Sequence, residues 1–184
     1  MSTTFPRARR GSGYDIDEVE EFLEDARRAY TGDSGTAQVV TAASIRQMGF
    51  TMRRGGYSPS HVDSALERLE DAFATRERDR ALAELGDHGA YQRTRDDAQV
   101  ILDRCVRPRG RRFARVGILT GGYSVRDVDA FADRIVRYLQ QGEPLTVDEV
   151  RGALFARQKG GYDETQVDVV LDAVIDVLQA VTTP

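Results

Sequence analysis

The chain has 184 residues, of which 40% are hydrophobic and 30% charged, and its formal net charge is −4. This balance predicts a globular protein, and the lack of any long apolar run predicts that no helix spans a membrane. A negative net charge disfavours general affinity for nucleic acids, because that affinity depends on neutralising phosphates. The first residues include arginines with no apolar stretch behind them, and Cys105 is the single cysteine. We therefore expect a cytoplasmic protein without disulfides.

A Gly-Tyr dipeptide occurs four times, and the residues that follow it recur with it. A valine lies five residues after each tyrosine, and an acidic residue lies six residues after it. The dipeptides are Gly13 with Tyr14, Gly56 with Tyr57, Gly122 with Tyr123, and Gly161 with Tyr162; the valines are Val19, Val62, Val128 and Val167; the acids are Glu20, Asp63, Asp129 and Asp168. Agreement at this many positions indicates an internal repeat, whose members we number copies one to four.

Each copy has the sequence of a helix start. The residue after each tyrosine is a preferred N-cap type, whose side chain can accept hydrogen bonds from the first turn: Asp15, Ser58, Ser124 and Asp163. The tyrosine before the cap and the valine at the fourth helical position form the pair known as the hydrophobic staple. Glu18 and Gln166 suit a reciprocal capping box with their caps. We expect the glycine before each tyrosine at a sharp turn with positive φ.

The copies form two related pairs. Residues 41–57 and 146–162 align at Thr, at Ile or Val followed by Arg, at Phe and at Gly-Gly-Tyr, and Thr146 with Glu149 predicts a capping box. The predicted fold class is all-α, with tandem helical repeats in two related halves and no long coiled coil. We predict helices near 15–30, 41–53, 59–85, 89–106, 125–141, 147–158 and 164–181, and one weak strand candidate at 114–120. The predicted organisation is an N-terminal half over 1–86, a connecting helix and Arg-rich linker over 87–111, and a C-terminal half over 112–184.

The sequence offers no recognisable reactive site. His61 and His88 are the only histidines, and with Cys105 they do not have the spacing of a metal site, which needs three or four convergent ligands. The glycine pairs lack the preceding strand and the Gly-Lys-Ser/Thr ending of a phosphate loop. The acids near the first helix start are explained by capping and by the helix dipole. We therefore predict a non-enzymatic protein with no catalytic residues, metal, cofactor or small-molecule substrate.

Residues 104–115 include six arginines, and this segment has two interpretations. It is a solvated linker between the two halves, or it contacts an anionic partner, such as acidic lipid or nucleic acid, through Arg107, Arg109, Arg111 and Arg112. The helices after Tyr57 and Tyr162 carry acids where a DNA-reading helix would carry Arg, Asn or Gln, so we expect no nucleic-acid partner. A nucleic-acid-associated regulator that uses the arginine segment is kept as the alternative function.

The first copy, GYDIDEVEEFL with Phe5 upstream, resembles the N-terminal domain of DivIVA-type cell-division and polarity proteins. The second copy, FTMRRGGY, is similar in its upstream part, and the likeness covers the four motif regions, about half of the chain. The resemblance implies a cytoplasmic scaffold that self-associates and lies at the inner membrane face near a septum or pole. It also implies protein partners from the division or envelope machinery. Phe5, Arg7 and Phe50 are the candidate contacts with a membrane or partner.

Two features depart from that family. Its members continue into a long coiled coil, and no heptad pattern persists in this chain. They also carry an apolar and basic tip just before the Gly-Tyr, whereas the two residues before each Gly-Tyr here include no large apolar side chain. We therefore expect the motifs to serve first as elements of the fold.

Overall fold

The computed structural model describes residues 4–8, 11–32 and 40–181, and it divides the chain into two compact units, residues 1–79 and 80–184. The segment predicted to connect two halves, residues 87–111, falls within the second unit. The helices of the described residues are α1 (Ile16–Thr31), α2 (Ala42–Arg46), α3 (Pro59–Cys105), α4 (Val125–Gln141), α5 (Val147–Arg151) and α6 (Glu164–Val181). The strands are β1 (Ser12–Tyr14), β2 (Met52–Arg54), β3 (Gly121–Tyr123) and β4 (Arg157–Lys159). The chain is mostly helical, without a long coiled coil in its described part.

The all-α prediction is wrong in one respect, because each unit contains a two-stranded antiparallel sheet. In the first unit Ser12 pairs with Arg54 and Tyr14 with Met52; in the second unit Gly121 pairs with Lys159 and Tyr123 with Arg157. The Gly-Tyr dipeptides of copies one and three therefore end strands β1 and β3. No strand pattern is visible in the sequence, because three residues are too few to show a period of two.

The helices predicted over 41–53 and 147–158 are much shorter than expected. They end at Arg46 and Arg151, and the remaining residues of each prediction lead into β2 and β4. The capping box of Thr146 with Glu149 is confirmed, since each side chain bonds the backbone N–H of the other residue. Gly55 and Gly160, which follow β2 and β4, have φ of 76° and 61°. A left-handed residue at this point reverses the chain, which favours a strand and turn over a longer helix.

The two helices predicted over 59–85 and 89–106 are both present, and they meet at a kink within α3. Gly86 interrupts it with φ 68° and ψ 169°, a conformation that only glycine adopts readily. Residues 59–79 of α3 belong to the first unit and residues 80–105 to the second. The strand candidate at 114–120 is not a strand, although Arg115 makes an isolated antiparallel bridge to Tyr162.

Each unit buries a core of its own around the repeated valines. The first core includes Val19, Ala26, Ile45, Val62 and Phe73. In the second unit, a cluster of Phe113, Val128, Tyr162 and Val167 accompanies a larger one that includes Ile101, Ile135, Val174 and Leu178. All four repeated valines are at most 2% exposed. Burying one valine contributes about 1.5–3 kcal/mol, so the repeat places a stabilising contact at every helix start.

None of the helices in the described ranges combines the length and the apolar character that crossing a bilayer requires. The prediction from the sequence is confirmed to that extent.

Candidate functional site

The Gly-Tyr copies pair with each other through their main chains. The N–H of Tyr14 donates to the carbonyl of Tyr57, and the N–H of Tyr57 donates to the carbonyl of Tyr14, both at 2.9 Å. Tyr123 and Tyr162 exchange the same two bonds at 3.0 and 2.9 Å. Copy one therefore pairs with copy two, and copy three with copy four, in a reciprocal arrangement within each unit.

The glycines of the four Gly-Tyr dipeptides allow two backbones to approach closely, and they do not supply positive φ. The expectation of positive φ is therefore corrected. None of the four is among the glycines with positive φ in the described residues. A Cβ at Gly13 would lie 2.2 Å from the carbonyl oxygen of Tyr57, and one at Gly56 would lie 2.3 Å from that of Tyr14. Gly122 and Gly161 meet Tyr162 and Tyr123 in the same way, at 2.2 and 2.4 Å. Any side chain at these positions would separate the paired backbones.

Three of the four predicted N-caps are confirmed. Asp15 accepts from the N–H groups of Asp17 and Glu18, Ser124 accepts from Asp127, and Asp163 accepts from Gln166. Ser58 differs, because the N–H of His61 in the first turn donates to the Ser58 carbonyl rather than to its hydroxyl. Its hydroxyl lies 3.0 Å from Nδ1 of His61 and 3.2 Å from the hydroxyl of Ser60.

The capping boxes predicted for Glu18 and Gln166 are wrong, because both side chains bond a facing segment instead. The Glu18 carboxylate accepts from the N–H of Thr51 at 2.7 Å, and Gln166 accepts from the N–H of Ala114 at 3.1 Å. The carbonyls of Thr51 and Ala114 in turn accept from the backbone N–H of the caps Asp15 and Asp163. These paired bonds fasten each helix start to its neighbouring chain. In copy two the facing residue is Pro6, which accepts from Ser58 but has no N–H to donate.

The repeated acid, for which the sequence offered no role, bonds the tyrosine of the paired copy. The Tyr57 hydroxyl donates to Glu20 at 2.6 Å, and the Tyr162 hydroxyl donates to Asp129 at 3.0 Å. The pKa of Tyr57 is raised mainly by the hydrogen bond to Glu20 and, to a smaller extent, by burial. Burial and the interaction with Asp129 raise the pKa of Tyr162. The opposite pairs are also present: burial and a hydrogen bond to Asp63 raise the pKa of Tyr14, and burial and the charge of Asp168 raise that of Tyr123.

The Tyr162 hydroxyl provides a direct test of this pairing. It donates to Asp129 and accepts from the N–H of Arg112 at 3.2 Å, all within buried surroundings. We expect Tyr162→Phe to lower the free energy of unfolding by roughly 1–3 kcal/mol, because two buried partners lose a bond. Chemical denaturation measures this change. Tyr91→Phe is the matched control, since Tyr91 is 63% exposed, and an equal loss from both variants would contradict the assigned role.

Two of the candidate contact residues are packed inside the first unit. Phe5 and Phe50 are partly buried, and they lie edge-on or tilted against Tyr57 and Tyr14, with ring centroids 5.4 Å apart in both cases. Both rings pack against the first core, and their contact with a membrane or partner stays a prediction. Arg7 is exposed and donates to the carbonyl of Gly55 at 3.2 Å.

The arginine segment is only partly a surface. Arg112 is 5% exposed and donates to the carbonyls of Arg107 and Asp129 and to the Asp133 carboxylate. It is therefore a structural residue rather than the surface contact expected. Arg109 is exposed but paired with Asp133, whereas Arg107 and Arg111 are exposed on the turn around Gly110. Burial opposes the effect, yet the hydrogen bonds from Arg112 and Arg109 hold the pKa of Asp133 below its ordinary value.

An apolar tip does precede one Gly-Tyr copy, contrary to the expectation from the sequence. Ile118 and Leu119 are 84% and 83% exposed in the loop that leads to β3. The loop is held by main-chain bonds from Thr120 to Gly117 and from Gly160 to Thr120, at 2.8 and 2.9 Å. The pair lies outside the two residues that directly precede the Gly-Tyr, so the sequence expectation did not include it. The string Gly-Ile-Leu-Thr-Gly, in which two large apolar residues interrupt a turn, is the signal that could have found it.

Three basic residues lie next to this tip in the fold, and we define the tip as residues 116–120. Arg115 donates to the carbonyl of Gly160 at 2.7 Å, and the Cα of Ile118 lies 3.5 Å from where a Cβ of Gly160 would be. The guanidinium of Arg157 lies against Gly121, so close that a Cβ there would be 2.2 Å from its Nε. Lys159 pairs with Gly121 across the sheet. The tip thus combines exposed aliphatic side chains with positively charged residues where it joins the fold.

The residue types that hold metal ions are scattered in the part of the chain that the structure describes. No group of three or more His, Cys, Asp or Glu side chains there is arranged to hold a metal ion. Cys105 is buried, and burial raises the pKa of its thiol to about 11, so the thiol stays protonated at neutral pH.

Comparison with known proteins leaves the family open. No family model, curated protein or solved structure matches this chain.

Proposed function

We propose that this protein is a non-enzymatic interaction and scaffold protein that docks on an anionic membrane surface through the tip at residues 116–120. The observation that carries the proposal is the exposure of Ile118 and Leu119 at 84% and 83%. Two adjacent large aliphatic side chains that face solvent gain about 1.5–3 kcal/mol each when an apolar phase covers them. A scaffold role agrees with a chain whose repeated residues are all used for pairing and packing.

Charge favours a bilayer with acidic lipids as the occupant of this site. Arg115, Arg157 and Lys159 lie at the base of the tip, and each basic residue near an anionic leaflet contributes about 1 kcal/mol. Insertion of one or two apolar residues gives weak and reversible binding when it acts alone. The combination of apolar and basic residues supplies the two signals that stable peripheral binding needs.

The resemblance of copy one to DivIVA-type domains directs the cellular part of the proposal. A scaffold of this kind would lie at the inner membrane face near a septum or pole and recruit proteins of the division or envelope machinery. Fluorescence microscopy of a tagged copy in the source cell tests this part. Enrichment at septa or poles is expected, and uniform fluorescence throughout the cytoplasm would contradict it.

A nucleic-acid-associated role is the second candidate, and the exposed Arg107 and Arg111 are the observation in its favour. Arg109 and Arg112 are already paired with Asp133, which reduces the charge available for phosphates. Affinity for DNA that falls steeply with salt, and falls further in an Arg107→Ala, Arg111→Ala variant, would support this alternative over the membrane.

Vesicle flotation tests the membrane proposal directly. We expect the protein to float with vesicles that contain phosphatidylglycerol, and to float far less with phosphatidylcholine alone. The double variant Ile118→Asp, Leu119→Asp should bind at least about tenfold more weakly, because it loses more than 1.4 kcal/mol of apolar transfer. Leu154→Asp is the matched control, since Leu154 is 93% exposed on a different loop of the same unit. Equal binding of the double variant and the control would refute the assignment of the tip.

A further inference from the structure

The middle of α3 is a stretch of helix without a core. Phe73 and Ile101 are buried, and none of the residues between them is buried, although the structure describes every one of them. Leu82, Leu85 and Tyr91 in this stretch are 37%, 49% and 63% exposed. A helix in a protein gains most of its stability by packing one apolar face, and this stretch has no buried face in its own chain.

Two glycines make this stretch a poor helix by itself. Gly86 lies near its centre with non-helical backbone angles, and Gly89 follows three residues later. Glycine is among the least favourable residues in a helix interior, because it loses the most backbone freedom there. A second helix packed along the stretch would supply the contacts that its own chain does not.

The charges of the stretch are complementary to those of a second copy that runs in the opposite direction. When two copies of α3 cross antiparallel at Gly86, a residue a given number of positions before Gly86 faces the residue that many positions after it. Asp79 then faces Arg93, and Glu84 faces His88. Because the pair is symmetric, each of these contacts occurs twice, and no two like charges between residues 75 and 97 face each other.

The charges also favour this register over a slipped one. A slip of three residues would set Asp79 against Asp96 and Arg80 against Arg95, which replaces attraction by repulsion. The Asp79 side chain is 66% exposed, and its ion pair with Arg78 in its own chain is long, at 4.0 Å. Its charge is therefore available to a second helix.

We infer that α3 joins two copies of this chain as an antiparallel helix pair centred at Gly86. In this pair Leu82 of one copy lies at the level of Ala90 of the other, and the small residue leaves room for the leucine to be covered. Ion pairs along such a seam choose the partner and its direction more than they raise affinity, so the dimer is expected to be weak. Self-association through α3 goes beyond the proposed membrane contact, and it uses none of the residues of the tip.

Sedimentation velocity of the full-length protein over a range of concentrations tests the inference. We expect a monomer–dimer equilibrium, and we expect Asp79→Arg and Arg93→Asp each to raise the dimer dissociation constant about tenfold. Each change makes two attractive contacts of the symmetric pair repulsive. An equimolar mixture of the two variants should recover the wild-type affinity, because every 79–93 contact between the unlike chains again joins opposite charges. Asp148→Arg is the control, since it reverses the same charge at an exposed position of α5 and should leave the equilibrium unchanged.

Recovery on mixing is the decisive result, because a contact within one chain cannot be restored by a second chain and a misfolded variant cannot be rescued by it. A wild-type protein that stays monomeric at every concentration overturns the inference. A dimer that both variants leave unchanged overturns it as well, and so does a loss of dimer that mixing fails to reverse. The measurement contains no lipid, so its outcome is independent of vesicle flotation and of the membrane proposal.

Discussion

Replacing Gly13 with alanine is expected to destabilise the first unit by about 3 kcal/mol, near the upper end of what overpacking costs. The added Cβ would lie 2.2 Å from the carbonyl oxygen of Tyr57 and 2.7 Å from that of Gly56. Both obstacles are main-chain atoms, so no side chain can move aside to relieve the clash. The two hydrogen bonds between Tyr14 and Tyr57 would have to lengthen or break.

Amide hydrogen exchange can detect the loss of pairing between Tyr14 and Tyr57 at the two amides that it affects. The amides of Tyr14 and Tyr57 should lose protection in the variant, and urea denaturation should give a lower midpoint for the first unit. Gly49→Ala is the control, because no atom lies within 4 Å of a Cβ at Gly49 and its φ is not positive. If Gly13→Ala and Gly49→Ala had the same stability, close approach would not be the reason for the glycine.

Replacing Arg112 with methionine is expected to cost the second unit about 3–5 kcal/mol. Arg112 is 5% exposed and Asp129 is 4% exposed, so the change leaves a buried carboxylate without its nearest cation. Methionine keeps most of the volume of the side chain, which separates the loss of charge from the loss of packing. Three donor bonds, to Arg107, Asp129 and Asp133, disappear with the guanidinium.

The pH dependence of stability provides a second measurement for the same residue. The pKa of Asp133 is lowered in the folded state by Arg112 and Arg109, so its contribution is present above the ordinary aspartate pKa and is lost as the pH falls through the lowered value. We expect the wild-type protein to lose stability on acidification in this range, and Arg112→Met to lose less. Arg109→Met is the control: Arg109 is 71% exposed, and its removal should cost at most about 1 kcal/mol. A loss from Arg109→Met as large as that from Arg112→Met would contradict the difference in burial.

The repeated helix starts could be predicted from the sequence because every part of them is local. The cap, the valine and the upstream Thr146 with Glu149 act within one turn of helix, and the structure places them as the pattern indicated. The capping box predicted at Glu18 is local as well, but the Glu18 carboxylate accepts a hydrogen bond from the N–H of Thr51 instead, 33 residues away. A pattern that allows two partners does not reveal which one the fold will bring nearer.

The pairing of the copies could not be predicted from the sequence, because it depends on contacts between distant residues. Gly13 has the same sequence context whether it supplies positive φ or a close approach, and only the position of Tyr57 decides between them. The repeated acid likewise has no local role, because Glu20 acts on a tyrosine 37 residues away. Exposure of the tip depends on the turn that holds residues 117–120 away from the core, which composition alone does not show.

The main-chain pairing also allows the segment between an outer arginine, Arg7 or Arg115, and the Gly-Tyr that follows it to vary. Arg7 and Arg115 occupy equivalent places, since each bridges the buried tyrosine of its unit and bonds the glycine carbonyl of the neighbouring turn. Five residues separate Arg7 from Gly13, and six separate Arg115 from Gly122. The shorter connection contains Arg9 and Arg10, which lie outside the described residues, and the longer one contains Ile118 and Leu119. Glycine, tyrosine and backbone anchor both ends of this segment, so its length and chemistry can vary without altering a core. A duplicated fold can therefore give its two units different surfaces.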